Sequence, residues 1–198
     1  KKSKELHAMK RPLESAMSES PFPVSQQLRG RFLLYGNVCV DCAFQVASFP
    51  KEDSTHRAKS FVRKLGGNGA NSCTVLAQLL ETEAQKVSIL SILPERQHPD
   101  AMFALSTLER SNVDTSLIQT LAAESNCDVG VPMSFVLLSE DTGARTIVSS
   151  RCGLKEMDPA HFQDVLAKSK DLCWCHFEFR QPGVPAMLDM LRSPGTPK

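Results

Sequence analysis

The stretch that decides the fold is "RKLGGNGANSCTVLAQLL", residues 63–80. Three glycines and two asparagines fall between Gly66 and Asn71, and the chain then turns apolar. Cys73, Leu76, Ala77 and Leu80 recur at i, i+3, i+4 and i+7, which predicts a helix with one apolar face behind the glycines. A phosphate-binding P-loop would need a Lys after its last glycine to reach the terminal phosphates, and none follows here. A dinucleotide fingerprint needs Gly-x-Gly-x-x-Gly; Gly67, Gly69 and Ser72 make a near miss, with Glu95 roughly where a ribose-binding acid would stand. A third reading is polyol binding. Asn68 and Asn71 are i and i+3, so they share one face of the first helical turn. Each carboxamide offers two donors and an acceptor, the mixture that adjacent sugar hydroxyls require. The plain structural alternative is a glycine-rich helix start whose asparagines only cap it.

Outward from this stretch, strand-like and helix-like segments alternate. "RFLLYGNVCVDCAFQV" (31–46) reads as strand, with residues 32–44 as its body, and "SFPKEDSTHR" (48–57) is a polar connector. "AKSFVRKL" (58–65) reads as another strand and "KVSILSIL" (86–93) as a short buried one. "HPDAMFALSTLERSNV" is a helix with Pro99 and Asp100 in its first turn. "VPMSFVLLSEDTGARTIVSSR" is a β-hairpin turning at Gly143. "DPAHFQDVLAKS" is a helix capped by Asp158, "DLCWCHFEF" a strand, and "VPAMLDMLR" a last helix. The alternation predicts an α/β fold with a central, mostly parallel sheet flanked by helices. The hairpin and the strand pair around the polar connector predict a small β appendage beside it. Residues 1–29 show no sustained period and read as a disordered or loosely attached tail, leaving 30–198 for the folded part.

Composition narrows the function. The chain has 198 residues, is 41% hydrophobic and 23% charged, and carries a net charge of +1. No global field argues for nucleic acid or a membrane surface, and one Trp and one Tyr make no stacking platform for single strands. No apolar run reaches membrane-span length, and the amino-terminal stretch lacks the apolar core of a secretory signal. The odd count of seven cysteines reads as free thiols in a reducing, cytoplasmic setting. Cys39 and Cys42 are three apart in a predicted strand, so they point to opposite faces and do not chelate one ion.

Other residues draw attention by chemistry. Asp41 sits inside an apolar segment, where a carboxylate is costly unless paired or facing a cleft. It is suited to accept hydrogen bonds from two hydroxyls; the alternative is an exposed strand end. Arg145 follows the hairpin turn and has the chemistry for a phosphate, or is a solvated hairpin cation. His176 and Glu178 alternate onto one face near the end of their strand, towards a cleft or as core residues. No Gly-x-Ser-x-Gly elbow supports a hydrolase.

In the order "GNVCVD", "FPKEDSTHR", "GGNGANSCTVLAQL", "NVDTSLIQ" and "GARTIV", the chain resembles the ribokinase-like sugar kinases from about Phe32 to Arg192. The "PKEDS" and "GGNGANSCTVL" blocks are most similar to the ketohexokinase branch. The resemblance implies a ribokinase-like sheet with a β-sheet lid, its elements at about 44–64 and 132–150, through which two copies form a homodimer. It implies ATP-dependent phosphorylation of a ketose such as fructose to the 1-phosphate, with Mg²⁺. By position, Asp41, Gly67, Asn68 and Asn71 match the sugar-binding residues. Asp53 matches a lid aspartate reaching the neighbouring subunit's site, and Arg145 matches an ATP contact.

Two departures qualify this. The family's Glu-Gly-Arg is here Glu178-Phe179-Arg180, a bulky residue where the cleft has a glycine. The family's Gly-Ala-Gly-Asp, which supplies the catalytic base and the phosphoryl anion hole, occurs nowhere in these residues. The expectation is therefore the sugar-binding half of such a kinase, with no catalytic or metal-binding residue assigned in this chain. Two other readings stand beside it: an inactive product serving as a sugar-binding or dimerisation module, and a ribose or nucleoside kinase of the same family.

Overall fold

The computed structural model describes residues 30–80, 85–121, 129–178 and 183–192. The tail assigned to 1–29, Phe179 and Arg180 lie outside them. The unbroken apolar run from Phe32 to Tyr35 makes β1 (Gly30–Tyr35) the centre of a parallel sheet, since such strands are covered on both faces. It pairs with β10 (Leu172–Phe177) on one side and β4 (Gln85–Leu90) on the other, and β4 pairs with β6 (Val113–Asp114). All three pairings are parallel, giving the order β10-β1-β4-β6.

Side chains alternate along β1, so the two faces carry separate cores. Phe32 and Leu34, with Val87 and Ile89 of β4, pack under α1 (Asn68–Leu79) and α2 (Pro99–Arg110). Leu33, Tyr35 and Leu90 pack under α3 (Pro159–Lys168) and α4 (Val184–Arg192), where Phe162 and Met187 are fully buried. Each large apolar side chain sealed this way contributes about 1.5–3 kcal/mol. Both predicted helix starts at proline hold. The His98 ring accepts from the Asp100 amide at 3.2 Å, and the Asp158 carboxylate from the Ala160 amide at 2.9 Å.

A second sheet stands beside the first, ordered β3-β2-β8-β9 from Ser60–Gly66, Cys39–Val46, Met133–Ser139 and Arg145–Ser150. Its hairpin turns at Gly143, whose φ of 68° suits a residue without a side chain. Cys42 and Phe44 face the first core, while Asp41 and Ala43 face the other way. Arg63 of β3 anchors the sheet to α2: it pairs with Asp100, and its guanidinium lies 4.2 Å from the centre of the Phe103 ring.

Two strand assignments need correction. Residues 32–44 are not one strand; the chain leaves the first sheet at Gly36–Val38 and enters β2 of the second. The 86–93 run likewise divides at Ser91 into β4 and β5 (Ile92–Leu93), which pairs with β7 (Gln119–Thr120) in a separate ribbon. In both places apolar, buried strands flank the crossing closely on either side, with only Gly36–Val38 or Ser91 between them, so hydrophobicity alone does not mark the break. Strands of two residues, such as β6, are too short to show a period at all.

Candidate functional site

After β1 the chain passes through β2 and β3 of the second sheet into α1 on one face of the first sheet, while β10 is followed by α4 on the other. Connections that part in this way open a crevice at the carboxyl ends of the two strands, the usual ligand position in open α/β sheets. The residues at those ends are Tyr35-Gly36-Asn37 and Phe177-Glu178.

The glycine stretch delivers its residues to the same place. Strand β3 runs antiparallel to β2, with Gly66 opposite Cys39 and Lys64 opposite Asp41. The Asp41 carboxylate folds over Gly66; a Cβ there would lie 2.4 Å from it. Gly67 then turns the chain into α1 with φ 96°, and a Cβ on it would meet the Asn37 carbonyl oxygen at 2.3 Å. The two glycines have separate reasons: Gly66 clears room for a carboxylate, and Gly67 adopts a backbone conformation that other residues resist.

Helix α1 has no side-chain cap. Asn68 instead directs its Nδ2 to Glu178 Oε1 at 2.8 Å, while the Asn37 amide donates to Glu178 Oε2 at 2.9 Å. Capping therefore does not account for these asparagines. The carboxylate of Glu178 also supplies negative charge at a helix start that has no acidic residue of its own in the first turn. Asn71 is exposed one turn further on and lines a groove with Ser72, Val75, Leu76 and Leu79.

On β2, the Cys39 thiol donates to Asp41 Oδ1 at 3.5 Å. Burial first, then the Asp41 carboxylate, pushes this thiol up to about 12. Ser134 of β8 stands opposite Asp41 on its other side.

The structure thus gathers Asp41, Gly66, Gly67, Asn68 and Glu178, with Asn71 a turn away. Arg145 and Asp53 stand apart. Arg145 opens β9 opposite Leu138, about 16 Å along and across the sheet from Asp41 by strand spacing. Asp53 has φ 55° in the exposed loop after β2. Gly66 and Asn37 escaped the sequence reading. The Gly66-Gly67 doublet was the available signal for the first; the second contributes through its backbone, donating to Glu178 and accepting from the Ala70 amide at 3.2 Å, which leaves no mark in sequence.

Chemically, two carboxylates and a carboxamide at one crevice suit a neutral, hydroxyl-rich ligand and repel a phosphate. Among the described residues, no three His, Cys, Asp or Glu side chains come together as metal ligands, and no helix is long and apolar enough to cross a membrane.

Comparison with known proteins gives the family and the fold. The family model described as pfkB family carbohydrate kinase matches residues 30–186. Ketohexokinase of Mus musculus is 30% identical over 151 residues, covering 76% of this chain and 46% of that protein. Among solved structures, 2-dehydro-3-deoxygluconokinase from Thermotoga maritima superimposes with a TM-score of 0.58 at 18% identity, covering 81% of this chain and 46% of that one. Fructokinase from Xylella fastidiosa, solved with bound ATP, gives 0.54 at 19% identity, covering 75% and 42%. At these identities the two structures establish the shared fold alone. The chain spans about half the length of the relatives it matches.

Proposed function

The chain belongs to the pfkB family of carbohydrate kinases, and from that premise we propose that it carries the acceptor half of a ketohexokinase-like site, the half that holds a ketose such as fructose for ATP-dependent phosphorylation to the 1-phosphate. The observation that carries this reading is the meeting of Asp41, the Gly66-Gly67 turn and Asn68 at the carboxyl end of the central strand. The identity to a ketohexokinase and the "PKEDS" and "GGNGANSCTVL" blocks favour a ketose over other sugars.

In this reading Asp41 accepts from two adjacent sugar hydroxyls. The peptide at Gly67 lets the sugar approach the backbone, and Asn68 and Asn71 supply paired donors and acceptors. ATP supplies the phosphoryl group, with Mg²⁺ carried on its phosphates. Arg145 suits a phosphate, being an exposed cation with no ion-pair partner among the described residues. The second sheet serves as a lid and as the contact between two copies, with Asp53 reaching across to the second site. Its Asp41 face also carries Val62 and Ile147, exposed at 53% and 52%. A cytoplasmic setting agrees with six free cysteines among the described residues.

Titration calorimetry with fructose tests the acceptor site. Binding is expected, and Asp41→Asn should weaken it at least about tenfold by removing a charged acceptor. No heat from fructose or from a panel of ketoses, aldoses and nucleosides would refute the reading. Because Gly-Ala-Gly-Asp is absent from the sequence, the chain alone should turn over little fructose in a coupled assay with ATP and Mg²⁺. Turnover matching an intact kinase would overturn that expectation.

A further inference from the structure

We propose that Glu178 is a positioning residue that fixes the carboxamide of Asn68 in one orientation and acts on the ligand only through it. This rests on the acceptor-site reading above. Glu178 extends β10 by one residue, its amide donating to the Tyr35 carbonyl at 2.9 Å. Its two carboxylate oxygens are both engaged by protein: Oε2 accepts from the Asn37 amide at 2.9 Å and Oε1 from Asn68 Nδ2 at 2.8 Å. One side chain therefore joins the end of β10, the crossing from the first sheet to the second, and the first residue of α1.

The orientation follows from donor and acceptor chemistry. An ionised carboxylate only accepts, so the nitrogen of the Asn68 amide faces Glu178 and Oδ1 faces away. Without Glu178 the amide can rotate by half a turn at little cost, exchanging donor for acceptor at the open side of the crevice. With Glu178 in place, Asn68 presents Oδ1 and its second N–H. A sugar hydroxyl then meets a defined acceptor beside a defined donor, and no rotational freedom has to be lost on binding. The Asn37 bond keeps Glu178 from swinging into the crevice itself, since moving would leave that amide without its partner.

The test uses the whole chain, wild type and with Glu178→Gln, Glu178→Ala, Asn68→Ala and the Glu178→Ala/Asn68→Ala pair. Nitrogen-15 spectra follow the side-chain amide of Asn68, assigned by its loss in Asn68→Ala. The wild-type pair of signals should lie away from free-amide positions, and both Glu178 variants should return it towards them. Calorimetry with fructose should show Glu178→Ala weakening binding about tenfold. In the Asn68→Ala background the same change should have almost no effect. Unchanged Asn68 signals in Glu178→Ala would overturn the proposal, as would additive losses in the double variant, which would mean that Glu178 touches the sugar itself. Thermal melts confirm that each variant is folded, and Glu178→Gln keeps the side-chain volume if the alanine is not. A wild-type chain that binds no fructose would refute the acceptor-site reading, while the amide signals would still decide whether Glu178 orients Asn68.

Discussion

At the scale of single residues, the site depends on where a methyl group would not fit. Alanine at Gly66 would put its Cβ 2.4 Å from the Asp41 carboxylate and force that group aside. Gly66→Ala should therefore weaken fructose binding in calorimetry, with a stability loss of about 1–3 kcal/mol by urea melt. Gly67→Ala meets two obstacles, a positive φ and the Asn37 carbonyl, and should cost more than Gly66→Ala in the same melt. The neighbouring thiol offers a check by pH. Burial and then Asp41 push Cys39 up to about 12, so it stays protonated through neutral and mildly alkaline pH. Only the thiolate is an effective nucleophile. Iodoacetamide at pH 8 should spare Cys39 while the more accessible Cys152 is alkylated, as read by peptide mass spectrometry.

At the scale of elements, caps and edges matter most. Asp158 receives the Ala160 amide at the start of α3, with Pro159 already set for the first helical turn. Asp158→Ala should cost about 1 kcal/mol in a urea melt, the usual value for a lost N-cap. Lengthening or shortening the hairpin turn at Gly143 would shift β9 by one register and exchange the faces of Ile147 and Val148. Both are exposed, so the second sheet shows apolar groups on each side of this edge strand. The proposed pairing of two copies would cover the Ile147 face. Analytical ultracentrifugation should show a dimer that Ile147→Glu dissociates; a chain monomeric at every concentration would remove the lid-contact proposal.

At the scale of the whole molecule, the site lies at one end of the parallel sheet and an ionic network closes the other. Arg31 of β1 donates to Asp114 Oδ2 at 2.6 Å and to Ser88 Oγ at 2.7 Å, and Lys86 of β4 reaches the same Asp114 oxygen at 3.0 Å. Burial alone would raise the Asp114 carboxyl, but hydrogen bonds from Ser116, Lys86 and Arg31 prevail and hold it well below the usual carboxylate range. Its folded value is depressed, so its stabilising contribution is complete above the unfolded value of about 4 and is lost as pH falls below it. Stability measured by urea melts from pH 6 down to pH 2 should decline below about pH 4, and Asp114→Asn should flatten that decline. Arg31→Met should cost about 2 kcal/mol near neutral pH, because it removes the hydrogen bonds of a charged group to Asp114, Ser88 and the exposed Asp171 and leaves Lys86 as the remaining cation on Asp114.

Local signals were legible where the physics is local. Periodicity marked α1, Pro99 and Asp100 marked the start of α2, proline and aspartate marked the start of α3, Gly143 marked the hairpin, and the alternation of strands and helices specified a mostly parallel α/β sheet. The doublet Gly66-Gly67 with Asn68 already pointed away from a phosphate loop, since no lysine follows it. What the sequence did not carry were relations between distant segments. The crossing at Gly36–Val38 was hidden because both strands it joins are apolar and buried. The contact between Asp41 and Gly66 exists only because β2 and β3 pair in one register. Glu178 stands 110 residues from Asn68 and meets it only because β10 pairs with β1, bringing its carboxyl end to the start of α1. Residue type and spacing determine which groups are available for chemistry; strand order and register decide which of them touch.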